Sequence, residues 1–192
     1  MNRFILIIAL VMALPLSAHA AEYEIDPAHT DFSFSVKHMV IAKVKGTFQK
    51  FEGMLEVDDN NKLTAARAVI SAESIYTKIE KRDNHLRSPD FFDVAKYPNI
   101  TFKTTSVQYS GSALTIKGNI TIRDVMKEIT LTGETLGPIK DPWGQTRMGI
   151  NATGTLNRKD FGLLWNKVLE SGGLVVGDTV ELHIEGEGIL KQ

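Results

Sequence analysis

The chain has 192 residues, of which 43% are hydrophobic and 23% charged, with 22 basic and 23 acidic side chains and no cysteine. This length suits one domain with a sizeable core, and the lack of cysteine excludes disulfides, thiolate chemistry and a lipid-modified N-terminal cysteine. A formal net charge of −1 gives no reason to expect a nucleic-acid partner.

The N-terminal segment has the pattern of an export signal. A positively charged start precedes the uncharged apolar run 4–14, and Ala18 and Ala20 supply small residues before a cleavage point. The run is shorter than the roughly 20 apolar residues that span a bilayer, which argues against a retained anchor. We therefore predict a cleaved signal peptide, 1–20, an exported domain, 21–192, and no stable membrane insertion after cleavage.

Period-two alternation of apolar and polar residues recurs through the rest of the chain and predicts half-buried strands. A two-layer sandwich and a closed barrel both accommodate this alternation. Long strands, scarce helices and inward-facing Gly53, Gly118 and Gly154 favour an all-β, antiparallel eight-stranded barrel with a short helical insertion. An outer-membrane barrel is disfavoured because an aromatic content of 8% is thin for aromatic girdles. The predicted strands are 31–38, 51–57, 66–72, 100–103, 114–122, 129–131, 148–156 and 180–185.

Two segments break this alternation. In the first, Thr77 with Glu80 fits a capping box, and Ser88-Pro89 is typical of the start of a second helix that ends before Pro98. The second, 158–177, is long for a loop in a compact domain, and such loops are usually functional or mobile. We predict a helical insertion and a functional or mobile loop.

Aromatic and aliphatic side chains gather on the predicted inward faces and on the insertion. They either fill the barrel as a core or line a ligand cavity, and the pattern leaves both interpretations open. The candidate ligand-binding residues are Phe32, Phe34, Val36, His38, Phe48, Phe51, Leu86, Phe91, Phe92, Ile100, Phe102 and Ile116.

The densest polar cluster lies in the insertion. Arg82, His85 and Arg87 form either a cationic rim for the head group of a ligand or an ion-pair clasp that fixes the insertion to the barrel. In the second interpretation, Asp83 pairs with Arg87 four residues later on a helix.

The sequence offers little support for metal binding or catalysis. The histidines lack the i, i+4 spacing of a ligand set, and the G-x-S-x-G motif of a nucleophile elbow is absent from the sequence. We predict no metal, no cofactor and no catalytic residue, so the chain is not expected to be an enzyme. The alternative from this class is an enzyme that modifies an isoprenoid lipid, with His85 and Asp83 as acid-base groups.

Several motifs, in order and spacing, resemble the YceI-like family of exported isoprenoid- and lipid-binding proteins. Together they span nearly the whole predicted mature chain. They are Asp26-Pro27-Ala28-His29-Thr30, Phe34-Ser35-Val36-Lys37-His38-Met39, Gly46-Thr47-Phe48 with Phe51 and Gly53, Arg82-Asp83, His85-Leu86-Arg87-Ser88, Asp90-Phe91-Phe92, Tyr97-Pro98, Lys159-Asp160-Phe161-Gly162 and Val176-Gly177-Asp178.

The resemblance implies a lipocalin-like barrel whose long apolar tunnel holds a polyisoprenoid, a quinone-type lipid or a fatty-acid derivative. It also implies a periplasmic location in a Gram-negative bacterium, frequently a homodimer, and supplies no catalytic residues. Burying a methylene is worth about 0.8 kcal/mol, so ten lipid carbons supply about 8 kcal/mol before the costs of binding. We therefore expect a periplasmic carrier or reservoir. The remaining alternative is a stress-related interaction protein with a solid barrel core.

Overall fold

The computed structural model describes residues 20–39, 41–170 and 173–191. The predicted signal peptide, apart from Ala20, lies outside the described residues. In chain order the described elements are β1 (Ala21–Ile25), β2 (Asp31–His38), β3 (Ala42–Phe48), β4 (Phe51–Val57), β5 (Leu63–Ser71), β6 (Ile75–Tyr76), α1 (Glu80–Arg87), β7 (Asn99–Ser110), β8 (Ala113–Ile122), β9 (Val125–Lys140), β10 (Thr146–Asn157) and β11 (Val176–Leu190).

The strands form a closed antiparallel barrel. Its order is β1-β4-β5-β7-β8-β9-β10-β11, and β11 pairs back onto β1 through Tyr23 and Leu190. Closure leaves each of these eight strands with a hydrogen-bonded neighbour on both sides, so none of the eight exposes a long edge. The predicted eight-stranded antiparallel barrel with a short helix is confirmed.

Three of the barrel strands are followed or preceded along the chain by a second strand segment of the same sheet. β1 continues into β2 after the short 3-10 turn Pro27–His29, β4 is the continuation of β3, and β5 leads into β6. β11 is long enough to pair with β1 at one end and with β2 over the rest. The same sheet thus also includes β2, β3 and β6.

The two ends of the barrel carry different kinds of connection between the strands. At one, which we call the mouth end, lie the insertion 72–98 and the connection 158–175, together with the tight connections β2–β3 and β8–β9. At the other, the far end, lie the turns 58–62, 111–112 and 141–145. Both irregular segments predicted from the sequence therefore meet at the mouth end.

The insertion differs from its prediction. Its one α-helix is α1, a short 3-10 turn forms at Ala72–Ser74, and residues 88–98 form turns and irregular structure. The Thr77–Glu80 capping box is wrong, because the N-cap is Ile79 and Thr77 instead donates to the buried carboxylate of Asp83 from both its backbone N–H and its hydroxyl. A single aspartate therefore organises the turn before the helix, as a carboxylate can accept several hydrogen bonds.

An ion-pair network fixes barrel closure near the far end. Arg147 on β10 donates to Asp26 at 2.8 Å, to Asp141 at 2.8 Å and to Glu187 on β11 at 3.0 Å. Hydrogen bonds from Arg147 and His29 lower the pKa of Asp26 to about 2. The network joins the residue that follows β1 to β10 and β11 at the seam of the barrel.

The half of the interior nearer the far end is packed solid. Its side chains point inward from alternating positions and are almost wholly removed from water, as in an ordinary protein core. The packed residues include Tyr23, Ile25, Leu55, Val57, Leu63, Leu114, Ile116, Met148 and Ile150.

None of the described helices is long and apolar enough to cross a bilayer.

Candidate functional site

The half of the interior nearer the mouth end contains a cavity. Its volume is about 180 Å³, and the surface it exposes is apolar throughout. This is roughly ten times the space that one buried water needs, yet the walls offer no polar partners that would hold water. The lining residues are Phe32, Ser33, Phe34, Val36, Phe48, Ala68, Ile70, Leu86, Phe91, Phe92, Ile100, Phe102, Ile120, Ile122, Ile129, Leu131, Leu156, Arg158, Leu163, Val176, Val180, Leu182, His183 and Ile184.

Strand alternation places most of this wall. On β2, Phe32, Phe34 and Val36 share the inward face, and their register partners on β11 include Leu182 and Ile184. Because every second residue of a strand faces the same side, two neighbouring strands supply a continuous apolar surface. The wall is thus a direct product of the period-two pattern.

Two glycines give large aromatic rings their places in this wall. The ring of Phe102 occupies the position that a side chain on Gly118 would take, so any larger residue there collides with it. Phe34 likewise lies over Gly46, whose added Cβ would stand 2.5 Å from the ring. The inward glycine Gly118 therefore provides room for a neighbour's ring instead of leaving free volume.

An aromatic cluster covers the cavity at the mouth end. The ring of Trp165, from the connection 158–175, lies 4.7 Å from His85 and 5.4 Å from Phe91, both edge-on or tilted. On the opposite side of the insertion, Phe92 meets Phe48 of β3 at 6.0 Å. The insertion and the connection thus meet over the cavity, and such aromatic contacts add about 0.5–1.5 kcal/mol each.

A buried arginine holds the connection 158–175 in place. Arg158 is 4% exposed and donates to the carbonyls of Gly177 at 2.8 Å, Trp165 at 3.0 Å and Leu163. It also pairs with Asp178 at 3.3 Å. Burial lowers the pKa of the Arg158 guanidinium. Because the protein's own acceptors use its N–H groups, this cation fixes the loop and does not offer a free charge to a ligand.

The three predicted head-group residues have other partners. Arg82 donates to the hydroxyl and carbonyl of Thr77 at 2.7 Å each, and Arg87 donates to the carbonyls of Glu73 and Ile75 at 2.8 and 2.9 Å. These bonds hold α1 against β6 and its flanking residues within the insertion. Their acceptors are neutral oxygens, so the clasp is made of hydrogen bonds and not of the ion pairs that the sequence predicted. The predicted Asp83–Arg87 pair is wrong, since Asp83 binds Thr77 instead.

His85 differs from the two arginines. Its Nε2 lies 2.9 Å from a carboxylate oxygen of Asp90, and its ring packs against Phe91 and Trp165. The acid-base pair of the enzyme alternative is not assembled, because Asp83 binds Thr77 and His85 binds Asp90. Neither His85 nor Asp83 is among the residues that line the cavity.

Nine of the twelve predicted ligand-binding residues lie on the cavity wall, and His38, Phe51 and Ile116 do not. Ile116 is 2% exposed in the packed half, and Phe51 packs edge-on against Phe32 with ring centroids 4.7 Å apart. His38 ends β2, where it pairs with the first residue of β11. The nine wall residues are Phe32, Phe34, Val36, Phe48, Leu86, Phe91, Phe92, Ile100 and Phe102.

Sequence reasoning missed several parts of the site. The predicted inward faces did contain Ile120, Ile129 and Leu182, and alternation alone was signal enough to include them. No comparable signal marked Arg158 or Trp165. Arg158 binds mainly backbone carbonyls, which carry no sequence pattern, and Trp165 contacts residues far away in the sequence.

The amino-acid sequence matches a known family over nearly all of the described chain. The model of the YceI-like domain matches residues 23–188. The chain belongs to the YceI-like family. Among the relatives, a UPF0312 protein of Vibrio cholerae is 38% identical over 184 residues, covering 93% of this chain and 94% of that protein. A UPF0312 protein of Staphylococcus aureus is 40% identical over 167 residues, covering 86% and 95%.

Solved structures share the fold. BcnA of Burkholderia cenocepacia superposes with a TM-score of 0.73 at 18% identity, covering 85% of this chain and 98% of that one. The YceI protein of Campylobacter jejuni gives a TM-score of 0.68 at 28% identity, covering 81% and 90%. A polyisoprenoid binding domain from Saccharophagus degradans gives 0.64 at 16% identity, covering 90% and 100%.

Proposed function

We propose that this YceI-like protein binds the apolar chain of a long amphiphilic lipid in the cavity and serves as a periplasmic carrier or reservoir. The ligand class is a polyisoprenoid, a quinone-type lipid or a fatty-acid derivative. The observation that carries the proposal is an interior wall without exposed polar surface in one half of an otherwise packed barrel.

The wall favours an apolar chain over a polar ligand. Burying a polar group without a hydrogen-bond partner costs free energy, whereas each buried methylene contributes about 0.8 kcal/mol. Arg158 adds no ligand-directed charge because its N–H groups are bound to Gly177, Trp165, Leu163 and Asp178. The lipid therefore enters chain first, and its polar head remains at the mouth end.

The fold shared with the polyisoprenoid binding domain of Saccharophagus degradans supports the same class of ligand here. Binding without catalysis is supported by the separation of His85 from Asp83, the two groups of the enzyme alternative. The solid-core alternative describes the far-end half of the interior but not the half that contains the cavity.

Titration of the delipidated protein with polyprenols of increasing chain length tests the proposal. Trp165 lies in the aromatic cluster over the cavity, whereas Trp143 is exposed at the far end, so the Trp143→Phe variant leaves a single reporter at the mouth end. We expect saturable emission changes with one lipid per chain and affinity that rises with chain length until the cavity is full. Unsaturable binding, or equal affinity for short and long chains, would overturn the proposal.

A further inference from the structure

Exposed apolar side chains collect on two neighbouring loops at the mouth end. Ile41 is 87% exposed, Val168 74% and Leu164 64%, and Met39 and Leu174 are about two-fifths exposed. We call these five residues the mouth patch. Scattered exposed apolar residues are ordinary on protein surfaces, but a group on adjoining loop tips marks an interaction surface.

Backbone contacts join the two loops. The N–H of Met39 donates to the carbonyl of Val175 at 2.9 Å, beside Leu174. Leu174 in turn forms an isolated antiparallel bridge with Val168. The patch is therefore one surface built from the β2–β3 connection and the connection before β11.

The mouth patch adjoins the apolar cavity. Val36 and Val176 line the cavity, and His38, the neighbour of Met39 in the chain, pairs with Val176. Leu163, next to Leu164, also lines the cavity. An apolar chain that crosses this surface would pass from the patch to the cavity wall with little contact with water.

The charges around the patch are mostly basic. The sequence stretches 37–45 and 163–174, which contain the five patch residues, carry four lysines and one carboxylate, Glu170. One of the lysines, Lys43, is offset by Glu181 at 2.6 Å. The far-end turns 58–62 and 141–145 carry three carboxylates and one lysine. The two ends thus differ in charge although the whole chain is nearly neutral.

We propose that the mouth patch is a docking surface for an anionic lipid bilayer, into which Met39, Ile41, Leu164, Val168 and Leu174 insert reversibly. Loop-tip apolar residues enter the interfacial region, and lysines near the surface are attracted to anionic head groups. The contact is peripheral and places the mouth end of the barrel, with the aromatic cluster that covers the cavity, against the bilayer. Its purpose rests on the proposed lipid ligand, but docking itself is measured separately.

Sedimentation with vesicles of phosphatidylethanolamine and phosphatidylglycerol tests this proposal. The double variant Ile41→Asp/Val168→Asp should lower vesicle affinity by about ten-fold or more, because two apolar insertions are replaced by repelled charges. The matched control is Trp143→Asp, which removes an 83% exposed apolar residue from the far end. Trp143→Asp should bind vesicles as the unaltered protein does.

Three outcomes overturn the docking proposal: no vesicle binding by the unaltered protein, equal losses in both variants, or self-association through the patch without vesicle binding. Loading of the cavity from a polyprenol solution without vesicles separates docking from ligand binding. The double variant should load as fully as the unaltered protein from solution and at least about ten-fold more slowly from vesicles. If the unaltered protein docks but does not load, the proposed function fails and the docking surface stands.

Discussion

At the scale of single residues, the same inward alternation yields two kinds of interior. Leu55 on β4 is 3% exposed in the packed half, whereas Leu182 on β11 faces the cavity. Packed interiors resist added volume because neighbouring side chains are already in contact, and a cavity wall has room beside it. We therefore expect the two sites to respond differently when each leucine is replaced by the same larger side chain.

We predict that Leu55→Phe destabilises the fold by about 1–3 kcal/mol through overpacking, while Leu182→Phe costs less than about 1 kcal/mol. The ring of Leu182→Phe fills part of the cavity, so this variant should also hold less lipid. Urea unfolding followed by circular dichroism measures both effects on stability. Equal destabilisation by the two substitutions would mean that the mouth-end half is as densely packed as the rest.

Individual residues also show what the sequence could and could not provide. Alternation identified nine wall residues, because facing follows from position along a strand. It could not separate Ile116 from Ile120, which share a face of β8 but lie at different depths, one in the packed half and the other at the cavity. Depth along the barrel depends on how all strands are staggered.

At the scale of elements, the mouth end is assembled from contacts distant in sequence. β1 and β3 escaped prediction because their segments are short or rich in lysine, although β3 pairs along its full length with β2. β9 extends from Val125 to Lys140, far beyond its predicted core 129–131, because pairing with β8 and β10 overrides weak local alternation. The connection 158–175 has little regular structure and depends on Arg158 for its position.

We predict that Arg158→Met releases this connection. The substitution leaves several buried carbonyls without donors and should cost about 3 kcal/mol of stability. Hydrogen exchange of residues 163–170 should accelerate, and Trp165 emission should shift to the red as its ring leaves His85 and Phe91.

The matched control for Arg158→Met is Arg147→Met, which removes the arginine of the far-end network. It should weaken barrel closure but leave hydrogen exchange of 163–170 and Trp165 emission unchanged. If both substitutions released the connection to the same extent, Arg158 would have no specific role in holding it.

At the scale of the whole molecule, a single continuous sheet encloses both a core and a cavity. The packed far-end half and the Arg147 network stabilise closure, so the mouth-end half can remain hollow. This division explains how a chain without cysteine can keep an apolar space open. It also accounts for both interpretations of the aromatic and aliphatic pattern, each of which describes one half of the interior.

The Asp26 carboxylate, which pairs with Arg147 at the seam of the barrel, makes the stability of the molecule depend on pH. The pKa of Asp26 is about 2 in the fold against an ordinary value of 3.8, so the carboxylate stabilises the fold above about pH 4 and loses this effect as the pH falls toward 2. Because nearby water screens the interaction, we expect the free energy of unfolding to fall by about 1–2 kcal/mol over this pH range. In Asp26→Asn the stability between pH 4 and 2 should fall less steeply in urea unfolding. An unchanged slope would show that Asp26 does not contribute to acid unfolding.

Native mass spectrometry of the intact purified protein tests the central claim most directly. If the cavity holds a lipid chain, the spectrum should show the polypeptide with the added mass of one apolar molecule, and organic solvent should release that molecule. Leu182→Phe should carry less of it. The bare polypeptide alone, from several expression hosts, would contradict the claim that this barrel is a lipid-binding protein.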